Sequence, residues 1–279
     1  MQAAVIQRQY DDVIAEHYDL DPQNVTGNSL DQAVEHLRSE GLLDRSAQAG
    51  PLEVLDLGMG TGLFLEKLIG QVYGSVRPFG VDLSPRMTEI ARARIPGLEA
   101  QVDDAANFDA HFADETFDLV CTHFITGFVP VEELAPRIMK RLKPGGYWSF
   151  VGSSKIAYPA LRKKASSALV RMVFGGAKLD LSGMLCPDDE PALQGILADN
   201  GFEVVHTNTF EPELQFPNMD EFMEYAYTGG WLTPFVEDLG VQHAGRATRA
   251  LLNKLVFPLT DHHNILMAVG RKPFDADRD

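Results

Sequence analysis

The stretch Val54-Leu55-Asp56-Leu57-Gly58-Met59-Gly60-Thr61-Gly62 decides how the rest of the chain is read. A short apolar run over residues 53–57 gives way to three alternate glycines, then to the helical pattern Leu63, Phe64, Leu65, Leu68, Ile69. A strand buried in a parallel sheet and turning sharply into a helix reads this way. Glycine tolerates positive φ and puts no Cβ in the way, so a ligand can lie against the backbone there. The helix N-terminus behind the turn offers unsatisfied N–H groups.

Two ligand classes use such a turn. Dinucleotide enzymes need Gly-x-Gly-x-x-Gly, with pyrophosphate on the helix N-terminus. Here the third small position falls on Leu63, and the glycines run Gly58, Gly60, Gly62 instead. Asp56 at the strand end would repel a pyrophosphate and would suit a cationic, amino-acid-like group. The pattern Asp56-x-Gly58-x-Gly60-x-Gly62 resembles the first motif of the class I S-adenosylmethionine-dependent methyltransferases.

Outward from the turn, strands and helices alternate. Strands are expected over 79–83, 98–102, 117–121 and 147–151, and helices over 63–71, 85–94 and 131–142. Ser84-Pro85 opens the second of these helices with a capping hydroxyl and a first-turn proline. Lys143-Pro144-Gly145-Gly146 is a strong turn signal before the fifth strand. Helices of this length between strands imply right-handed crossovers and a parallel sheet covered on both faces.

Asp82 ends the second strand about 20 residues past the glycine turn, where strand carboxyl ends border a ligand crevice. A carboxylate there can accept both hydroxyls of a ribose; the alternative is a capping Asp beside Ser84. The resemblance extends through residues 50–152. It places Asp104, followed by Ala105, at the adenine amino group, with Asp103 as second choice. It puts Thr122-His123-Phe124 under the methionine part and beside the acceptor, with Phe124 touching the acceptor. The cofactor set it implies is Tyr18, Asp56, Gly58, Gly60, Thr61, Asp82, Leu83, Asp104, Ala105 and His123. It further implies an α/β, doubly wound, Rossmann-like fold. Its sheet would be seven-stranded and mostly parallel with the last strand antiparallel, and it would carry helical cap insertions.

The leading segment is expected to be one helix over 2–20, with a second over 29–40. In the resembling family such a segment folds aromatic side chains over the cofactor. Tyr18 is the first choice for that lid and Tyr10 the second; the alternative is an apolar face packed on the sheet edge. The chain then divides into a lid over 1–48, a cofactor-binding core over 49–152 and insertions over 153–187 and 211–262, within one methyltransferase domain. Residues 155–174, 188–200 and 219–257 read as helical, and 202–210 and 265–271 as strands.

The second insertion carries Phe216, Phe222, Tyr225, Tyr227, Trp231 and Phe235, the composition of a roof over an apolar pocket. Phe222, Tyr225, Trp231 and His262 are the acceptor-side choices, although most such rings in a roof simply pack it. Glu224, His243, Asp261 and His263 are further polar candidates. His123 is the catalytic choice, as a base if the acceptor is a hydroxyl or an acidic carbon, or otherwise as a hydrogen-bonding scaffold.

A net charge of −16 disfavours a nucleic-acid partner, because such proteins need a basic footprint. Arg162-Lys163-Lys164 with Arg171 is the one basic cluster, and reads as the wet face of a helix. No apolar run approaches the ~20 residues of a membrane span, and Cys121 and Cys186 have no metal-like spacing. The start lacks a signal-peptide layout, so a reducing cytoplasm is expected. S-adenosylmethionine is the expected cofactor and a small, largely apolar molecule of secondary metabolism the expected acceptor, with O- or C-methylation and a homodimer left open. The rivals are a cyclase of the same fold that holds the cofactor without methyl transfer, a noncatalytic regulatory protein, and an RNA methyltransferase.

Overall fold

A computed structural model describes residues 3–44, 50–112, 116–173 and 185–274. Residues 174–184 of the first insertion, 48 and 49 of the turn ahead of the first strand, and the tail past Phe274 lie outside the described residues. The strands are β1 (Leu52–Leu57), β2 (Val76–Asp82), β3 (Glu99–Val102), β4 (Phe117–His123), β5 (Leu142–Ser153), β6 (Glu203–Phe210), β7 (Glu213–Phe216), β8 (Leu259–His262) and β9 (Ile265–Arg271). Seven of them form one sheet in the order β3-β2-β1-β4-β5-β9-β6. All its pairings are parallel except the two that β9 makes, with β5 and with β6. This is the seven-stranded, doubly wound sheet with an antiparallel last strand that the resemblance implied.

Period-2 alternation divides the core into two layers. Val54, Leu119, Cys121, Met267 and Val269 join the layer containing Phe64, Leu30 and Leu37. Leu55, Val120, Leu266 and Ala268 join the opposite layer, with Leu134, Ile138, Leu193 and Leu197. Both faces of the central strands are therefore dry, which is why they read as continuous apolar runs.

Several elements differ from expectation, for local reasons. The leading segment is not one helix: an α-helix Ala3–Gln9 widens into a π-helical turn Tyr10–Ile14, and a single 3-10 turn Tyr18–Leu20 follows. The next helix, Val25–Ser39, begins four residues early because the Asp21 carboxylate accepts from the N–H groups of Val25 (2.9 Å), Thr26 (3.2 Å) and Gly27 (2.7 Å). Lys143-Pro144-Gly145-Gly146 lies inside β5 as an irregularity, between the pairs Phe117–Leu142 and Leu119–Tyr147. The run 155–174 divides into short helices Pro159–Ala165 and Ala168–Val173. The run 219–257 is broken into Met219–Met223, a π-helical turn Glu224–Thr228, Thr233–Asp238 and Arg246–Leu255. An unforeseen ribbon, β7 with β8, frames that roof. No helix among the described residues is long and apolar enough to cross a membrane.

The leading segment is fastened at three points. Asp11 accepts from Ser84 Oγ and from the Arg86 N–H (3.1 Å). Glu237 of the roof accepts from Arg8 and Gln9. Gly230 lies so close to Ile14 that an added Cβ would stand 3.2 Å from its Cγ2.

Candidate active site

The β1 turn builds the site. Gly60 adopts φ +54°, and its N–H points back to donate to Asp82 Oδ2 at 2.8 Å. A Cβ on Gly60 would stand 3.6 Å from the Tyr18 ring, an ordinary contact, so it is the positive φ and not the space that asks for glycine there. Gly62 serves a different purpose: a Cβ there would meet Ala91 and Ile95 at 3.3 Å, so it allows two helices to approach.

A cleft of about 820 Å³ opens over the carboxyl ends of β1, β2 and β4. Tyr10, Tyr18, Gly58, Gly60, Asp82, Leu83, Asp104, Ala105, His123 and Phe124 all border it, together with Ile125, Phe128 and Val129. A recess of about 300 Å³ shares Tyr18, Gly58, His123 and Phe124 with the cleft, and reaches Asp56 and Thr61. All ten residues of the expected cofactor set therefore line the cleft or the recess beside it.

The electrostatics of that space are those of a cation trap. Asp56 is 2% exposed and its Oδ1 has no protein partner. Burial, with a smaller contribution from nearby Asp82, pushes its carboxyl up to about 8. Burial also raises Asp82 to about 6, against the pull of N–H groups from Ser84 (2.9 Å) and Gly60. No Lys or Arg among the described residues borders the cleft or the recess. Two desolvated carboxylates without a counter-ion fit a ligand carrying an ammonium or sulfonium charge and disfavour a diphosphate. The structure also separates the two acidic candidates after β3. Asp103 is engaged by Asn107 (3.0 Å) and His111 (2.7 Å), whereas Asp104 borders the cleft.

His123 is buried and neutral. Its Nε2 lies 3.0 Å from Ser149 Oγ, its ring meets Phe64 edge-on at 4.2 Å, and desolvation lowers its pKa to about 3. Its Nδ1 has no protein partner. Phe124, just beyond, holds φ +60° with its N–H donated to Val151 O at 2.7 Å. A left-handed non-glycine residue is a strained choice, and here it borders the cleft, the recess and a third space behind them.

That third space is a chamber of about 500 Å³ behind the cleft. It shares Tyr10, Tyr18, Phe124 and Phe128 with the cleft, and adds Ser153, Cys186, Gly229, Gly230 and Trp231. Trp231 is set by rings on three sides: edge-on contacts with Phe124 (4.9 Å) and His263 (4.6 Å), and a stacked one with Tyr225 (5.8 Å).

The other acceptor-side choices do not reach this chamber. Phe222 borders a separate apolar cavity with Met219, Phe235 and Phe257. Tyr225 is buried behind Trp231, its hydroxyl 3.0 Å from His263 Nδ1. His262 is exposed, because β8 alternates and sends Asp261 and His263 inward instead. Asp261 caps the helix Pro159–Ala165 through the N–H groups of Ala160 (2.9 Å) and Leu161 (2.7 Å). Glu224 and His243 are exposed. Among the described residues no group of three or more His, Cys, Asp or Glu could hold a metal ion.

Sequence reasoning missed the fastening of the lid. Thr61 Oγ1 donates to Asp19 at 2.7 Å, and Arg94 reaches both Asp19 and Thr61 Oγ1 (3.0 Å). It also missed Ser153, whose signal was a hydroxyl at the end of an apolar strand.

A model of a methyltransferase domain matches residues 54–146. Trans-aconitate 2-methyltransferase of Methylobacterium nodulans is 31% identical over 135 residues, which span 48% of this chain and 48% of that enzyme. Demethylmenaquinone methyltransferase of Tropheryma whipplei is 34% identical over 95 residues, 34% of this chain and 38% of that one. This chain thus spans about half or less of the length of these two curated relatives. Among solved structures, the YcgJ protein of Bacillus subtilis has a TM-score of 0.56 at 18% identity, covering 89% of this chain and 100% of that one. At that identity the likeness is one of fold.

Proposed function

We propose that this chain is a class I S-adenosylmethionine-dependent methyltransferase and that it transfers a methyl group to a small, largely apolar molecule bound in the chamber beside the cofactor cleft. The observation that carries this reading is the shared wall of Tyr10, Tyr18, Phe124 and Phe128, which joins an acidic cofactor cleft to an aromatic chamber. When bound, S-adenosylmethionine supplies a methyl group made electrophilic by its positively charged sulfur.

The chain's own residues bind, orient and exclude water. Asp56 would hold the cationic amino-acid end, Asp82 would accept from the ribose hydroxyls, and Asp104 with Leu83 and Ala105 would hold the adenine; all five border the cleft or its recess. Thr61, tied to Asp19, holds the turn closed, and Tyr18 covers Gly60. His123 is a neutral wall of the recess, because a ring nitrogen held near 3 takes no proton from an acceptor at neutral pH. Positioning of the acceptor against the methyl then provides most of the acceleration, and well-aligned intramolecular reactions gain up to ~7–11 kcal/mol this way.

A tricarboxylate such as the relative's trans-aconitate would need cations, and no Lys or Arg among the described residues borders the chamber. An apolar, ring-bearing acceptor suits Trp231, Phe124 and Phe128 better. Aromatic or quinone-like products of secondary metabolism have that character.

The test is to incubate the protein with S-adenosylmethionine and a panel of apolar aromatic metabolites. S-adenosylhomocysteine should form together with a product heavier by one methylene. Cofactor consumed with no mass gain in any product would end the transferase reading. Asp82→Ala should weaken S-adenosylhomocysteine binding about 100-fold in calorimetry, the loss of two charge-assisted hydrogen bonds.

A further inference from the structure

One polar arrangement at the chamber is used by nothing above. Ser153 Oγ lies on the chamber wall, 2.7 Å from Nε2 of His263, which is wholly buried. Nδ1 of the same ring is 3.0 Å from the Tyr225 hydroxyl, and the Tyr225 and Tyr158 hydroxyls are 3.0 Å apart. Tyr158 also lies 3.2 Å from Nδ1 and 3.4 Å from Nε2. Tyr158 and Tyr225 are 2% and 1% exposed, so every hydroxyl hydrogen behind Ser153 must find an acceptor within this group.

The proton orders along the chain fall into two sets, one for each tautomer of the His263 ring. In the first, Ser153 donates to Nε2, Nδ1–H donates to Tyr225 and Tyr225 donates to Tyr158. The Tyr158 hydrogen is then left facing a ring nitrogen already occupied. In the second, Tyr158 donates to Tyr225, Tyr225 donates to Nδ1, and Nε2–H donates to Ser153 Oγ. Every buried hydrogen is then used, and the one left over is the Ser153 O–H, which faces the chamber. An unsatisfied buried donor costs ~1–3 kcal/mol, so the second order prevails. Burial also keeps the ring neutral, lowering its pKa to about 3, as a relay that both donates and accepts requires.

We infer that Ser153, held as a donor by His263, anchors a carbonyl or other acceptor-only oxygen of the molecule bound in the chamber. The substrate class is thereby narrowed to apolar, ring-bearing molecules that present such an oxygen at one end. Ser153 touches the acceptor, while His263 is a positioning residue acting through it. The inference rests on the methyltransferase reading, since it takes the chamber as the acceptor site.

Equilibrium dialysis of the S-adenosylhomocysteine complex against a matched pair of probes tests it. The pair is 2-acetylnaphthalene and 2-isopropenylnaphthalene, a ketone and its hydrocarbon counterpart. The ketone-to-alkene binding ratio should fall about tenfold in Ser153→Ala and in His263→Leu, the loss of one net hydrogen bond. His263→Gln, which retains an N–H near the Nε2 position, should restore most of the ratio, an outcome a merely structural histidine would not give. An unchanged ratio in Ser153→Ala overturns the inference, and so does retention of neither probe by a complex that still holds S-adenosylhomocysteine. Failure of S-adenosylhomocysteine itself to bind is separately visible by calorimetry, and would overturn the methyltransferase reading and this inference with it.

Discussion

Asp56 shows how a binding site can work against the fold that contains it. Its folded pKa of about 8 lies far above the ~3.9 of an unfolded aspartate, so the folded chain holds a proton the unfolded chain gives up. The ligand-free protein should therefore lose stability as pH rises from about 4 to about 8. A bound cation reverses the preference, and binding at pH 7 should release up to about one proton. Calorimetry in buffers of different ionisation enthalpy would count it, and an absence of release would remove Asp56 from the cation's surroundings. Asp56→Asn should raise the melting temperature of the ligand-free protein at pH 8, at ~2–4 °C per kcal/mol, while weakening S-adenosylhomocysteine binding. His123 makes the complementary case. With its ring held near 3, the rate should show no histidine limb between pH 5 and 8, and a limb near 6.5 lost in His123→Gln would return it to the role of base. The glycine turn was legible because its motif is local: Asp56, Gly58 and Gly60 are placed by their own neighbours. His262 and His263 were not distinguishable, because a register shift of one residue exchanges inside for outside and the pairing of β8 was unseen.

The leading segment was legible as amphipathic but not as a broken element. Asp19 and Asp21 both lie where short helical elements end, yet only Asp21 has a local task. Asp21 caps the next helix, and Asp19 joins Thr61 and Arg94 to pin the lid to the glycine turn. Such partners lie 42 and 75 residues away, beyond the reach of local pattern reading. Arg94 is one-fifth exposed and Asp19 about one-third, so solvent screens the pair and its worth is modest. Arg94→Ala should weaken S-adenosylhomocysteine binding about three- to tenfold and speed proteolysis near residues 17–24. Equal cleavage rates with and without the substitution would show that the lid is held by Asp11 and Glu237 alone. The roof failed as a continuous helix for a similar reason, because the π-helical turn at Glu224–Thr228 and the ribbon of β7 with β8 are products of packing around Trp231 and Tyr225.

At the scale of the molecule, the strands of the main sheet were legible as apolar runs between helices and its antiparallel last strand followed from the family resemblance, whereas the strand order came only from the structure and the insertions carried too little periodicity to place. Ligand occupancy should register globally, because the cleft is bordered by the sheet, the lid and the segment after β4 together. A ligand present at 100 times its Kd stabilises the native state by ~2.7 kcal/mol, which for a chain of this size is a melting shift of ~5–11 °C. S-adenosylhomocysteine should give that shift in a thermal scan and NAD should not; the opposite result would reassign the glycine turn. Tyr10 and Tyr18 border both cavities, and the segment that carries them is tied to the roof through Glu237 and Ile14. One partition thus serves both hollows, so a substitution at Tyr10 or Tyr18 should disturb whatever either of them holds.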